Sequence, residues 1–444
     1  MTQSVVAIVP YEEPDVSVRK AVELSGGLDH LPTGARVVIK PNIVFWTRAT
    51  VFPKWGVITT SRVVEDMVIL LKERGIDDIS ICEGTVIKDP KDKETQHHAF
   101  ETLGYGALEK RYGVKSLAVF ERPFETVDLG DDMHLEFNTD IIHSDFVVNL
   151  PVLKTHSQAI VSLGIKNLKG TVDIPSRKRC HNADPEKDLN LWVSKLADKM
   201  PPMFTLLDGI FTNEQGPNID GVMHRSNLLI ASADVLSADL VGARVLGHDP
   251  SAIPYLVHAA ENRNRPMDLS DVDVVGATIE SVAKYHEYTF PYTEDNSQPI
   301  GFEEMGVRGL SYPKYDLTMC TYCSGLTGTV LSTVARAWKG TPFDDVEILT
   351  GKVMTPSVGK KKTILLGKCM VQKNKDNPNI KEMLAIKGCP PQAKEIVKAL
   401  KDAGLEIDPY ALENLDLVPG FYVKRYEGKP EFDASLFTIS EESA

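Results

Sequence analysis

Short β-branched apolar runs alternate with longer amphipathic runs through the first three hundred residues, and this alternation constrains the fold more than any other feature. "RVVIKPN" (36–42) reads as a buried strand ending in a turn. "SRVVEDMVILLKERG" (61–75) places apolar residues at helical spacing between a Ser start and a Gly stop. "DDISICEG" (77–84), "SDFVVNLPVLK" (144–154), "MFTLLDGIF" (203–211) and "SNLLIASAD" (226–234) are further strand-like runs, and "VLSADLVGARVLG" (235–247) is helical. Strands alternating with helices predict an α/β fold, a mainly parallel sheet flanked by helices, with chemistry at the carboxyl ends of the strands.

At 444 residues the chain exceeds one ordinary core. The expected division is an α/β domain over 1–295, a turn-rich linker or crossover over 296–315, a smaller α/β domain over 316–425 and a loosely held tail over 426–444. The second domain is read from a helix at 326–338, strands at "DVEILTG" and "KTILLG", and a helix in "PQAKEIVKALKDAG" whose first turn holds Pro391.

A net charge of −13 argues against nucleic acid and acidic membrane surfaces as partners. No apolar run is long enough to span a membrane, and "MTQSVVAIVPYEEPD" has no secretory pattern, so the expected location is cytoplasmic. Six cysteines in so long a chain are not a secreted disulfide framework.

Four of them sit at the edges of elements in the smaller domain: Cys320 and Cys323 in "MCTYCSG", Cys369 after a strand, and Cys389 before a helix. Such edges converge at one end of a small α/β sheet, where helix N-termini favour thiolates. The spacing C-x2-C, 45 residues, C, 19 residues, C supplies the four thiolates that a [4Fe-4S] cluster takes. A zinc site or unrelated thiols stay open from spacing alone, although no histidine follows His286 to complete a mixed zinc site. Cys82 reads as a buried small hydrophobe, and Cys180, flanked by "RKR" and "HN", as exposed.

A basic segment, "VVNLPVLKTHSQAIVSLGIKNLKGTVDIPSRKRCHN" (147–182), stands out in this acidic chain. Lys154, His156 and Lys166 beside apolar strand residues, with Lys169 three residues on and His181 further along, predict a pocket for a small carboxylate or phosphate. The "SRKR" part reads as a solvated charged loop. Glu214 beside a Gly–Pro turn is a candidate acid or base, and Asp208, Lys40 and Asn42 at strand ends are candidate substrate contacts.

"KPNIV", "TTS…VVEDMVILLKERG", "VVNLPVLKTHSQAIVSLGIKNLKG", "LLDGI…NEQGPNIDG" and "ASADVLSADLVGARVLG" occur in this order, and together they resemble the domain-of-unknown-function family numbered 362 over about residues 35–260. The resemblance implies an iron–sulfur protein of anaerobic organisms. Many members carry a ferredoxin-type C-x2-C-x2-C-x3-C-P module, which this chain lacks. Its "GCPP" at Cys389 is instead similar to the last-ligand motif in cluster-bearing subunits of some respiratory and hydrogenase complexes, which favours the cluster.

The expected protein is therefore an iron–sulfur oxidoreductase or electron-transfer component, with a small anionic substrate and a redox partner protein. Its rivals are a lyase or isomerase using one cluster iron as a Lewis acid, and a non-catalytic protein, either a cluster carrier or a structural zinc protein. No G-x-G-x-x-G follows a strand, so a Rossmann nucleotide site has no support.

Overall fold

A computed structural model describes residues 3–86 and 92–439, and contacts divide the chain into two units. The first comprises 1–177, 190–289 and 422–444; the second comprises 178–189 and 290–421.

The first unit is built on a mostly parallel ten-stranded sheet. In chain order its strands begin with β1 (Ser4–Pro10), β2 (Val37–Lys40), β3 (Ile79–Glu83) and β4 (Lys115–Ala118). A separate hairpin follows, β5 (Phe124–Asp128) and β6 (His134–Asn138). The sheet resumes with β7 (Phe146–Asn149), β8 (Val152–His156), β9 (Ile160–Ser162), β10 (Met203–Glu214), β11 (Val222–Ser232) and β12 (Val272–Gly276). The main order is β12-β1-β11-β10-β7-β2-β3-β4, with β8 against β10 and β9 against β8.

The parallel expectation holds across β10, β7, β2, β3 and β4. It fails at β11, which runs antiparallel to both β10 and β1. The reason is local: "EQGPNIDG" is too short for a helical crossover, so β10 and β11 form a long hairpin. Central strands such as Val37–Lys40 are buried along their whole length, as a sheet covered on both faces requires.

Helix Ser61–Glu73 packs Val63, Val64, Met67, Val68, Leu70 and Leu71 into the core. Its entry is fixed from β10, where Asp208 accepts the Thr60 N–H at 2.7 Å. Helix Val235–Val245 is capped by its own Asp234, which accepts from the Ser237 N–H at 2.7 Å.

The tail differs from expectation. Its aromatic residues do not hang loose: Tyr426 and Phe437 are buried in the first unit's core, Tyr426 and Phe432 pack on Trp55, and the Tyr426 hydroxyl accepts the Met223 N–H at 3.0 Å. Burial of large aromatic surface outweighs the polar composition that suggested a loose end. Residues 440–444 of that expected tail lie outside the described residues.

The second unit has a four-stranded parallel sheet, β13 (Leu310–Ser311), β14 (Val346–Leu349), β15 (Lys362–Leu366) and β16 (Glu382–Ile386), in sequential order. The expected linker at 296–315 is part of this unit, because it contains a short helix, Ile300–Glu304, and supplies β13. Helix Thr321–Ala337 starts five residues earlier than expected and takes in the second cysteine of the pair. Helix Ala393–Asp402 starts after Pro391, which lies outside its first turn.

Candidate functional site

In the first unit, β3, β2 and β7 end side by side and set Glu83, Lys40 and Asn149 at their carboxyl edge. Sheet order reverses here, with β3 and β4 on one side of β2 and β7 and β10 on the other. Loops leaving such a switch point diverge, and open α/β sheets bind ligands there. Lys40 is fully buried. Its Nζ donates to the Pro41 carbonyl at 2.9 Å and to Asn167 Oδ1 at 3.3 Å, and pairs with the Glu83 carboxylate. Asn167 donates to Asn149 Oδ1 at 2.8 Å and accepts from Asn42 Nδ2 at 2.9 Å. Asn42 Oδ1 accepts from Lys154 Nζ at 2.7 Å, and a second Lys154 bond reaches the Val57 carbonyl at 2.9 Å. Gly170 is required by close approach, since a Cβ there would lie 2.5 Å from Lys40 Nζ.

The two lysines differ in their counter-charge. Lys40 faces a carboxylate, whereas the Lys154 ammonium bonds two neutral oxygens. Burial pulls Lys154 down to about 7; the Glu83 charge opposes the shift and the Lys40 charge adds to it. Between about pH 7 and the ordinary lysine value the unfolded chain holds one more proton than the folded one, so stability rises with pH in that window. Lys154→Met is expected to remove this contribution, up to about 1.4 kcal/mol per pH unit, flattening the profile of urea midpoints between about pH 7 and 10. An unchanged slope would show that burial does not lower the Lys154 titration.

Glu214 ends β10. Its Oε2 meets His224 Nε2 at 2.7 Å and its Oε1 accepts the Glu287 N–H at 2.9 Å. Burial works to raise this carboxyl, but the Glu287 N–H and His224 outweigh it and hold it below its ordinary value. His286 lies edge-on to His224 with 5.1 Å between ring centroids. Both Asp208 oxygens accept backbone N–H groups, from Thr60 and Ile210, which gives this residue a capping role. His156 accepts the Gln158 N–H at its Nδ1, at 3.1 Å, and Lys166 is buried in the short helix Gly164–Asn167 with Lys169 in the turn that follows.

In the second unit all four C-terminal cysteines line one cavity, together with Thr318, Tyr322, Lys352, Gly367, Lys368 and Pro391. The carboxyl ends of three strands contribute to it: β14 leads to Lys352, β15 to Cys369 and β16 to Cys389. Cys320 is the N-cap residue of helix Thr321–Ala337 and Cys323 lies in its first turn. Gly367 turns β15 into the next helix at φ 97°, and a Cβ there would sit 3.4 Å from Cys323 Sγ. The loops are tied by Gly367 N–H to the Ile386 carbonyl (2.9 Å) and Lys368 N–H to the Gly388 carbonyl (3.2 Å). A hydrogen bond from Cys323 pushes the Cys320 thiol down to about 5 against its burial, helped by the Tyr322 and Cys323 N–H groups and by Lys352. Cys323, the donor, moves up.

Residues 37–244 match the family model described as a domain of unknown function, DUF362. The match covers just under half of the chain. A thylakoid-associated protein of Synechocystis sp. is 29% identical over 251 residues, covering 56% of this chain and 74% of that protein. The lactate racemase apoprotein of Thermoanaerobacterium thermosaccharolyticum aligns over 94% of this chain and 91% of its own, at 12% identity and a TM-score of 0.36, a likeness from which nothing about chemistry is taken. Among the described residues no helix is long and apolar enough to cross a membrane.

The DUF362 match holds the lysine network and Glu214, and it ends before the cysteine-bearing elements. Within the match, residues 178–189 group with the second unit. His181 is in that stretch, and its Nδ1 lies 2.9 Å from the Leu317 carbonyl. Cys180, in the turn that follows helix Ile174–Arg179, is buried rather than exposed, so its polar neighbours in sequence do not set its environment. Nor is "SRKR" a solvated loop. Arg177 donates to the carbonyls of Val172, Gly84 and Gly170, and Lys178 Nζ lies 3.8 Å from Cys389 Sγ. Lys178, Lys352 and His224 were not singled out by sequence as site residues. The basic run marked Lys178, while Lys352 and His224 carry no local signal.

Proposed function

We propose that this chain is an iron–sulfur protein in which Cys320, Cys323, Cys369 and Cys389 hold a [4Fe-4S] cluster, and that it acts as a redox enzyme or electron-transfer component on a small anionic substrate. The observation that carries the reading is the convergence of four thiols from three separate loops on one cavity. Their donor chemistry fits the cluster: four cysteines, one at a helix N-cap and two in first helical turns, with lysines in the wall. Among the described residues no three His, Cys, Asp or Glu side chains are grouped to hold one metal ion.

The cluster, when bound, supplies one-electron transfer. The rest of the proposed role belongs to side chains of the first unit. Lys154, with only neutral hydrogen-bond partners, carries the charge that attracts an anion at the switch point, supported by Lys40, Asn42, Lys166 and Lys169. A bound anion would hold Lys154 protonated. His156 and Glu214, the latter paired with His224, are the proton-handling groups in this reading. EPR of anaerobically isolated protein, before and after dithionite, tests the redox part. A paramagnetic signal that appears on reduction is expected. A cluster that is not reduced, but whose spectrum changes with added hydroxy acids, would favour the Lewis-acid lyase instead.

A further inference from the structure

Residues 178–189 interrupt the first unit in sequence yet group with the second, and they reach the cysteine cavity. The Lys178 ammonium lies 3.8 Å from Cys389 Sγ and 4.5 Å from the centre of the Tyr322 ring, between Cys320 and Cys323 in sequence. It is thus held between Cys389 and the Tyr322 ring, both of which line the cavity. The segment carrying it is fastened by Lys352, whose Nζ donates to the Lys178 carbonyl at 3.3 Å and to the His181 carbonyl. Lys352 is itself positioned by its backbone N–H on Thr318 Oγ1 at 2.8 Å, and His181 by the Leu317 carbonyl.

Resting on the cluster reading above, we infer that Lys178 is a positioning and tuning residue for the second unit's redox centre, placing a fixed positive charge at Cys389 that favours the reduced state. One-electron reduction adds a negative charge to the cluster, breaks no bond and needs no proton, so a nearby cation stabilises the product more than the reactant. Other charges face the site. Lys352 and Lys368 line the cavity, Glu395 accepts the Gly388 N–H at 3.2 Å, and Asp316 accepts from Thr318. Lys178 differs from these in donating directly to a proposed ligand sulfur. The Tyr322 ring fixes the ammonium without neutralising it, as a carboxylate would.

The test is a dithionite titration of the full chain followed by EPR, with iron and sulfide measured on each sample, for wild type, Lys178→Gln and Lys178→Arg. The expected result is full iron in all three, a midpoint potential shifted to more negative values in Lys178→Gln, and a return toward wild type in Lys178→Arg. An unchanged potential in an iron-replete Lys178→Gln protein overturns the inference and leaves the cluster reading intact. Loss of iron from Lys178→Gln, with the remaining cluster at the wild-type potential, also overturns it, assigning the lysine to cluster retention. A wild-type protein without iron and sulfide overturns the cluster reading, and this inference with it.

Discussion

Glu83→Gln is expected to destabilise the protein by about 3–5 kcal/mol, because it leaves the Lys40 ammonium buried without its counter-charge. The remaining partners of Lys40, the Pro41 carbonyl and Asn167, are neutral, and burial already pulls this lysine below its ordinary value. The cost extends past the pair. Glu83 also accepts the Ile43 N–H at 3.1 Å, and Asn167 connects Lys40 to Asn42 and so to Lys154. Adding Lys40→Met to Glu83→Gln should recover much of the loss, since an apolar replacement removes the stranded charge. Urea unfolding of the three variants checks both steps. A Glu83→Gln protein within about 1 kcal/mol of wild type would show that the pair does not anchor the switch point.

Replacing Cys320 and Cys389 together by Ala is expected to abolish iron and sulfide retention, whereas Cys82→Ala should leave both unchanged. Cys320 and Cys389 come from different loops of the second unit and line the same cavity. Cys82 lies buried beside Val38 and Val147 in the first unit, where burial raises its thiol. Metal analysis on anaerobically isolated variants makes the comparison. Equal iron in all of them would place the metal elsewhere.

Much of this arrangement was legible in the sequence where local pattern and tertiary demand agree. The strand ending in Lys40 and the helix over 61–73 carry period and end signals that survive folding. The four cysteines could be grouped because strand ends and helix starts share one edge in any parallel α/β sheet. What sequence missed depends on long-range contact. The tail's aromatics find Trp55, some 370 residues away. "SRKR" looked solvated because the Gly84 carbonyl that helps hold Arg177 and the sulfur that meets Lys178 are supplied by other loops. Asp208 looked like a ligand contact since nothing local reveals that the Thr60 N–H needs its carboxylate. The lysines of the basic segment read from sequence as lining a pocket, with no sign of what holds them. The structure ties Lys154 into an asparagine network at the switch point, a placement set by sheet order rather than by neighbours in sequence.

The most direct measurement is the iron, zinc and acid-labile sulfide content of the wild-type chain purified without oxygen, with its visible spectrum. About four irons and about four sulfides per chain, with a broad absorption that dithionite bleaches, is the predicted result. One zinc per chain, no sulfide and a colourless protein would contradict it and leave the cysteine cavity a structural metal site.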